Sequence, residues 1–141
     1  MPDVKMKDLL SEMASGLAGT WVIIVADSDG MMLSAWESPD NKLPPEMMGG
    51  FITTVNESIK AFQQSTAGYG SLDDVIFSMG FSAIVIKPMA NGSCFMVVNA
   101  PKTVPLGMIR MAANNYVPKL EQALPGYEAM PRRNGMGTIV P

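Results

Sequence analysis

Residues 19–30 read Gly-Thr-Trp-Val-Ile-Ile-Val-Ala-Asp-Ser-Asp-Gly, a run of apolar and β-branched side chains that stops abruptly at two aspartates and a glycine. Residues 20–27 read as a strand buried on both faces, since no position in the run is set aside for water. The ending is open to three readings: a metal loop, a catalytic carboxylate pair or a hairpin turn. A calcium loop of the EF-hand type needs oxygen ligands at alternating positions over about twelve residues, closing on a glutamate. After Asp27 and Asp29 the chain instead gives Gly30-Met31-Met32-Leu33, which supplies no further side-chain oxygen. The hairpin is the reading that fits, with Gly30 providing the positive φ of a tight turn and residues 31–37, MMLSAWE, forming the second strand.

Working outward, residues 4–18 carry Met6, Leu9, Leu10, Met13 and Leu17 at spacings of three and four, an amphipathic helix that Asp3 caps and Gly19 ends. Downstream of the hairpin a proline-rich loop leads to Pro44-Pro45, which opens a long helix where a missing N–H costs little. That helix runs to about residue 67, with Gly68 or Gly70 as its stop. Strands follow at 75–79, 82–89 and 94–100, the last two joined around Asn91-Gly92, a type I′ hairpin signal. Such short links make neighbouring strands antiparallel. Thr103 is placed to cap a final helix with Leu106, Ile109, Ala113, Tyr116, Val117, Leu120 and Leu124 on its apolar stripe, and Pro118 is expected to kink or divide it. The predicted class is α+β: one five-stranded antiparallel sheet with helices on both faces, in the order α-β-β-α-β-β-β-α. The domain spans 1–124, and residues 125–141 form an extended or mobile tail.

The 141 residues suffice for one domain, and 48% are hydrophobic while only 16% are charged. That balance leaves apolar surface that oligomerisation would hide. A net charge of −3 argues against a nucleic-acid partner, and no apolar run reaches the length of a membrane span. The charged N-terminal stretch lacks the apolar core of a signal peptide, so a cytoplasmic location is expected. There is no histidine, the commonest general base and metal ligand. No nucleophile–base arrangement stands out, so no enzyme, metal or cofactor is expected. Cys94 reads as a packed thiol. Asp73-Asp74 reads as a solvated turn, because adjacent strand residues face opposite ways. Lys87 reads as an edge or solvent-facing residue, and Arg132-Arg133 as ordinary tail solubility. Gly68-Tyr69-Gly70 follows a helix with no lysine near, unlike a phosphate loop.

The long helix carries the functional expectation. Met47, Met48, Gly49, Gly50, Phe51 and Ile52 make almost a full apolar or small turn, continued by Val55, Ile59 and Phe62. One sheet face needs a stripe of only about 100°. The surplus serves either a wider core or a second, partner-facing edge, and fourteen methionines favour the second, since methionine repacks easily.

The order and punctuation of these elements resemble the Roadblock/dynein light chain superfamily, in its prokaryotic gliding-motility regulator branch. The residues that carry the resemblance are a leading helix ending in glycine, Gly19–Val25 followed by Asp29-Gly30, the long central helix, the strand start Asp74-Val75-Ile76, and Leu106-Gly107-Met108-Ile109-Arg110, similar to an "LGxxR" opening of the last helix. The resemblance implies a profilin-like sandwich with the central helix on one face and the first and last on the other. It implies a homodimer paired through the strand beginning at Val75, with Val75 and Phe77 at the joint beside Met47, Met48, Phe51, Ile52, Val55, Ile59 and Phe62. It further implies a small Ras-like GTPase as partner, its nucleotide state modulated without a catalytic arginine. A purely structural scaffold subunit and a small-molecule sensor are the alternatives.

Overall fold

The computed structural model describes residues 2–126, and of Pro2, Asp3 and Ala67 the backbone alone; the 127–141 part of the expected tail lies outside the described residues. Among the described residues the elements are α1 (Pro2–Ser15), β1 (Val22–Asp27), β2 (Met32–Glu37), α2 (Pro45–Ser65), β3 (Val75–Ser78), β4 (Ser82–Met89), β5 (Cys94–Pro101) and α3 (Leu106–Gln122). The five strands form one antiparallel sheet in the order β2-β1-β5-β4-β3. This is the expected α+β architecture.

Strand alternation divides the core in two. Ile23 and Val25 of β1, Val85 and Met89 of β4, and Met96 and Val98 of β5 pack against α1 and α3. The intervening residues Val22, Ile24, Ala26, Ile84, Ile86, Phe95 and Val97 pack against α2. β1 and β5 are buried on both sides because each has a helix layer above and below, which is why the opening run has no polar alternation. A bulge between Val25 and Ala26 leaves Leu33 as the extra residue of β2.

Several boundaries differ from the sequence reading. α1 already contains Asp3, so that residue does not sit ahead of the helix as a cap. α2 starts as expected, with Pro45 at its first turn, but ends at Ser65 and passes through a short 3₁₀ turn at Ala67–Tyr69. α3 starts after Pro105, not at Thr103, and has no side-chain cap. Pro118 does not divide α3, which runs unbroken to Gln122. Pro118 and Asn114, whose carbonyl loses its helical donor, are both exposed, so water can take up the freed acceptor. The β4–β5 link is not a two-residue turn: Met89 pairs with Cys94, and Ala90, Asn91 and Gly92 all take positive φ, at 52°, 57° and 85°. The Ala90 N–H donates to Glu121 Oε2 of α3 at 2.7 Å, which ties this left-handed turn to the last helix.

Candidate partner-binding surface

The aspartates of the opening stretch are turn-makers. Asp27 Oδ1 accepts the N–H groups of Asp29 and Met31, each at 2.9 Å, and the Asp27 carbonyl accepts the Gly30 N–H at 3.0 Å. The carboxylate thus closes the β1–β2 hairpin from inside, as an aspartate commonly does in a turn. Gly30, at φ +85°, lies against Gly49 of α2; a Cβ on either glycine would collide with the backbone carbonyl of the other. Thr53 Oγ1 reaches back to the Asp29 carbonyl at 3.2 Å and sits over Gly49. The hairpin therefore fixes where the N-terminal half of α2 lies on the sheet.

With that edge pinned, the helical period sorts the remaining residues of α2. Met48, Ile52, Val55 and Ile59 point down onto the sheet and are buried in the protein's own core, together with Asn56. Phe51 lies on the flank towards β3, where its ring meets Phe77 with centroids 5.1 Å apart and planes tilted by 60°. Phe62, on the same flank, is 62% exposed, and Met47 is 61% exposed. Of the nine residues expected to form the partner surface, four are core, and Val75 and Phe51 are half-buried. Met47, Phe62 and Phe77 remain exposed.

Sequence reasoning named Met47 and Gly50 but missed the small residues that continue their line. Met47, Gly50, Thr54, Ser58, Ala61 and Ser65 follow one another in steps of three and four along the outward side of α2, and all are exposed. A Cβ on Gly50 would meet no heavy atom within 4 Å. None of the six residues of this ridge is charged; Glu46 and Lys60 stand towards the hairpin side, and Glu57 borders the ridge beside Thr54 and Ala61. The signal in the sequence is a three-and-four spacing of small residues, weaker than the same spacing of large apolar ones. Beside the ridge, β3 is an edge strand whose backbone faces one neighbour, β4. Val75 and Phe77 alternate along it on the α2 side, and Met79 and Phe81, in the link to β4, are exposed.

The entry to β3 corrects two readings. Asp74 is not a solvated turn residue: its carboxylate takes two hydrogen bonds from Arg110 of α3, Nε to Oδ2 at 2.8 Å and an Nη to Oδ1 at 3.4 Å, and its side chain is 12% exposed. Lys87 is not at an edge. It lies half-buried on the internal strand β4, and its ammonium donates to the Asp73 carbonyl at 3.1 Å. The Asp74-Val75-Ile76 and LGxxR segments, separate in the sequence, meet in space.

Other titratable groups have structural partners. Tyr116 donates its hydroxyl to Glu12 Oε2 at 2.6 Å between α3 and α1, and that bond to the carboxylate raises the Tyr116 pKa above its ordinary value. Burial pushes the Cys94 thiol up, against the partly opposing hydrogen bond from Ser93. Among the described residues no group of three or more His, Cys, Asp or Glu is placed to hold a metal ion, and no helix is long and apolar enough to cross a membrane.

The sequence matches no family model and no curated protein. Solved structures do match. An MglB in a tetrameric arrangement is 18% identical, covering 87% of this chain and 93% of its own, with a TM-score of 0.72. MglB of Myxococcus xanthus is 11% identical over 89% of this chain and 97% of its own, at a TM-score of 0.75. A Roadblock/LC7 domain from Streptomyces avermitilis is 13% identical over 82% and 94%, at 0.71. Profilins share the architecture more distantly, with TM-scores of 0.57 and 0.54. At these identities the likeness is one of fold, and at that level it agrees with the resemblance carried by the sequence: this chain has the architecture of the Roadblock/LC7 domain and of the MglB gliding-motility proteins.

Proposed function

We propose that the protein is a homodimeric regulator or adaptor that works through its surfaces in the cytoplasm and carries out no chemistry of its own. The observation that carries this reading is the uncharged outward ridge of α2 lying beside the unpaired edge of β3. Small residues let two helices approach closely, and a bare strand edge is a template for a second strand. Two copies related by a two-fold axis would pair β3 with β3 and set the α2 ridges side by side, each residue meeting its own counterpart. Phe51, Phe62 and Phe77, exposed or half-exposed in one copy, would be covered in the pair. Such an interface hides the apolar surface that the low charge content leaves over.

The partner of the pair is a small Ras-like GTPase. The Roadblock-like architecture and the fold neighbours among gliding-motility proteins support this, and the mechanism needs only differential binding. A rigid two-helix platform that binds one switch state more tightly shifts the GTPase towards that state. It follows that the nucleotide state changes without a residue of this chain entering the active site.

Light scattering of the wild type and Phe51→Glu over a range of concentrations tests the first half. The expected result is a dimer near twice 15.1 kDa that the charge converts to a folded monomer. A wild-type monomer at every concentration would end this reading. Nucleotide turnover by a Ras-like GTPase, with and without the dimer, tests the second half: a bound GTPase with unchanged turnover leaves a scaffold.

A further inference from the structure

β3 has only four residues, and a four-residue edge strand is a weak element by itself. On one sheet face Phe51 touches it through Phe77. On the other face two basic side chains converge on the two residues that lead into it. Lys87, on the same side of β4 as Val85 and Met89 and thus facing the α1–α3 layer, holds the Asp73 carbonyl. Arg110 crosses from α3 to hold both oxygens of Asp74. The Arg110–Asp74 arrangement has the side-on, two-bond geometry that fixes direction as well as distance. Asp74 is mostly sheltered while Arg110 remains about half exposed, so the carboxylate gives up water for this contact.

We infer that Arg110 is a positioning residue for the sheet edge. With Lys87 it clamps the entry of β3 to the body of the domain and so presents the edge in one register to a second copy. The inference rests on the proposed self-association through β3 for its consequence, but the clamp itself is a property of the single chain. Register matters here because a slip of one residue would turn Val75 and Phe77 to the wrong face. A charged clamp also makes the edge sensitive to ionic strength, which the apolar contact of Phe51 with Phe77 is not.

The test uses the full chain with Arg110→Gln, Arg110→Lys and the exchanged pair Arg110→Asp/Asp74→Arg. Two quantities are read: hydrogen exchange of the peptide spanning residues 73–79, at a concentration where the chain is monomeric, and the dimer dissociation constant. Arg110→Gln should speed exchange in that peptide and raise the dissociation constant by roughly three- to tenfold each, with β1 and β5 unchanged. The exchanged pair should recover most of both effects, Arg110→Lys part of them, and high salt should shrink the difference between wild type and Arg110→Gln. Unchanged exchange at 73–79 would overturn the clamp whatever the oligomeric state. Faster exchange with an unchanged dissociation constant would overturn the positioning role. Faster exchange in a chain that never dimerises would leave the clamp standing and remove the self-association reading instead.

Discussion

The two faces of the sheet are closed in different ways. Over one face lie α1 and α3, packed on each other and on β1, β4 and β5, and linked at their outer rim by the Tyr116–Glu12 hydrogen bond. Over the other lies α2, which covers β1 and the middle of the sheet but reaches the β3 edge only through Phe51 on Phe77, leaving Phe77 partly exposed and Met79, just past β3, and its own Phe62 exposed. The first face closes its core with two helices, although Met108 and Met111 stand exposed on the outer side of α3. The second has its core under the helix and a surplus beside it. A single helix about 10 Å wide does not roof five strands spaced about 4.8 Å apart, so a fold with one helix on a face is left with something to bury.

The sharpest way to break the second face is at its anchor. Gly49→Ala places a methyl group into the Gly30 carbonyl and should cost ~2–4 kcal/mol, read as a lowered urea midpoint. A wild-type midpoint would mean that the hairpin does not set the helix. Next in size, Met48→Ala removes a side chain 2% exposed beneath α2 and should cost about 2–4 kcal/mol. Met47→Ala, one residue away and outward, should fall within about 0.5 kcal/mol and act on association alone. Equal effects at the two methionines would erase the division of α2 into a core side and an outward side. Gly50→Ala sharpens the contrast between neighbouring glycines. It should stabilise the monomer by about 0.5–1 kcal/mol, because it fills an exposed helix-interior site with space around it, while weakening any dimer whose ridges meet there. The smallest effect belongs to the closed face. Because its pKa is raised in the folded chain, Tyr116 contributes stability in full below its ordinary value and loses it as pH rises through the raised one. The thermal midpoint should therefore drop slightly further above pH 10 for wild type than for Tyr116→Phe.

Residues differ in how openly the sequence announced their places. The strand at 22–27 was legible because a segment buried on both faces must be apolar at every position, whatever covers it. The α2 stripe was legible as apolar, but its division was not. Met47 and Met48 are chemically identical and adjacent, and their opposite fates follow from a helix rotation fixed by the contact between Gly30 and Gly49. The same holds for the candidate surface. Its aromatic members stood out, whereas Thr54, Ser58 and Ala61 became a surface only once the buried side of α2 was known.

What the sequence by itself determined is the set of local elements, their order and the antiparallel class of the sheet, because hydrophobic period and turn chemistry act over a few residues. What the tertiary structure decided is everything that depends on distant parts of the chain meeting. Gly30 became an anchor because α2 brings the backbone of Gly49 against it. Asp74 became half of a clamp because α3 carries Arg110 across to it from 36 residues away. Pro118 stayed inside a continuous helix because that side of α3 faces water. Electrostatic and steric partners are set by proximity in space, and proximity in space is fixed by how the two helix layers lie on the sheet, which no short stretch of the chain encodes.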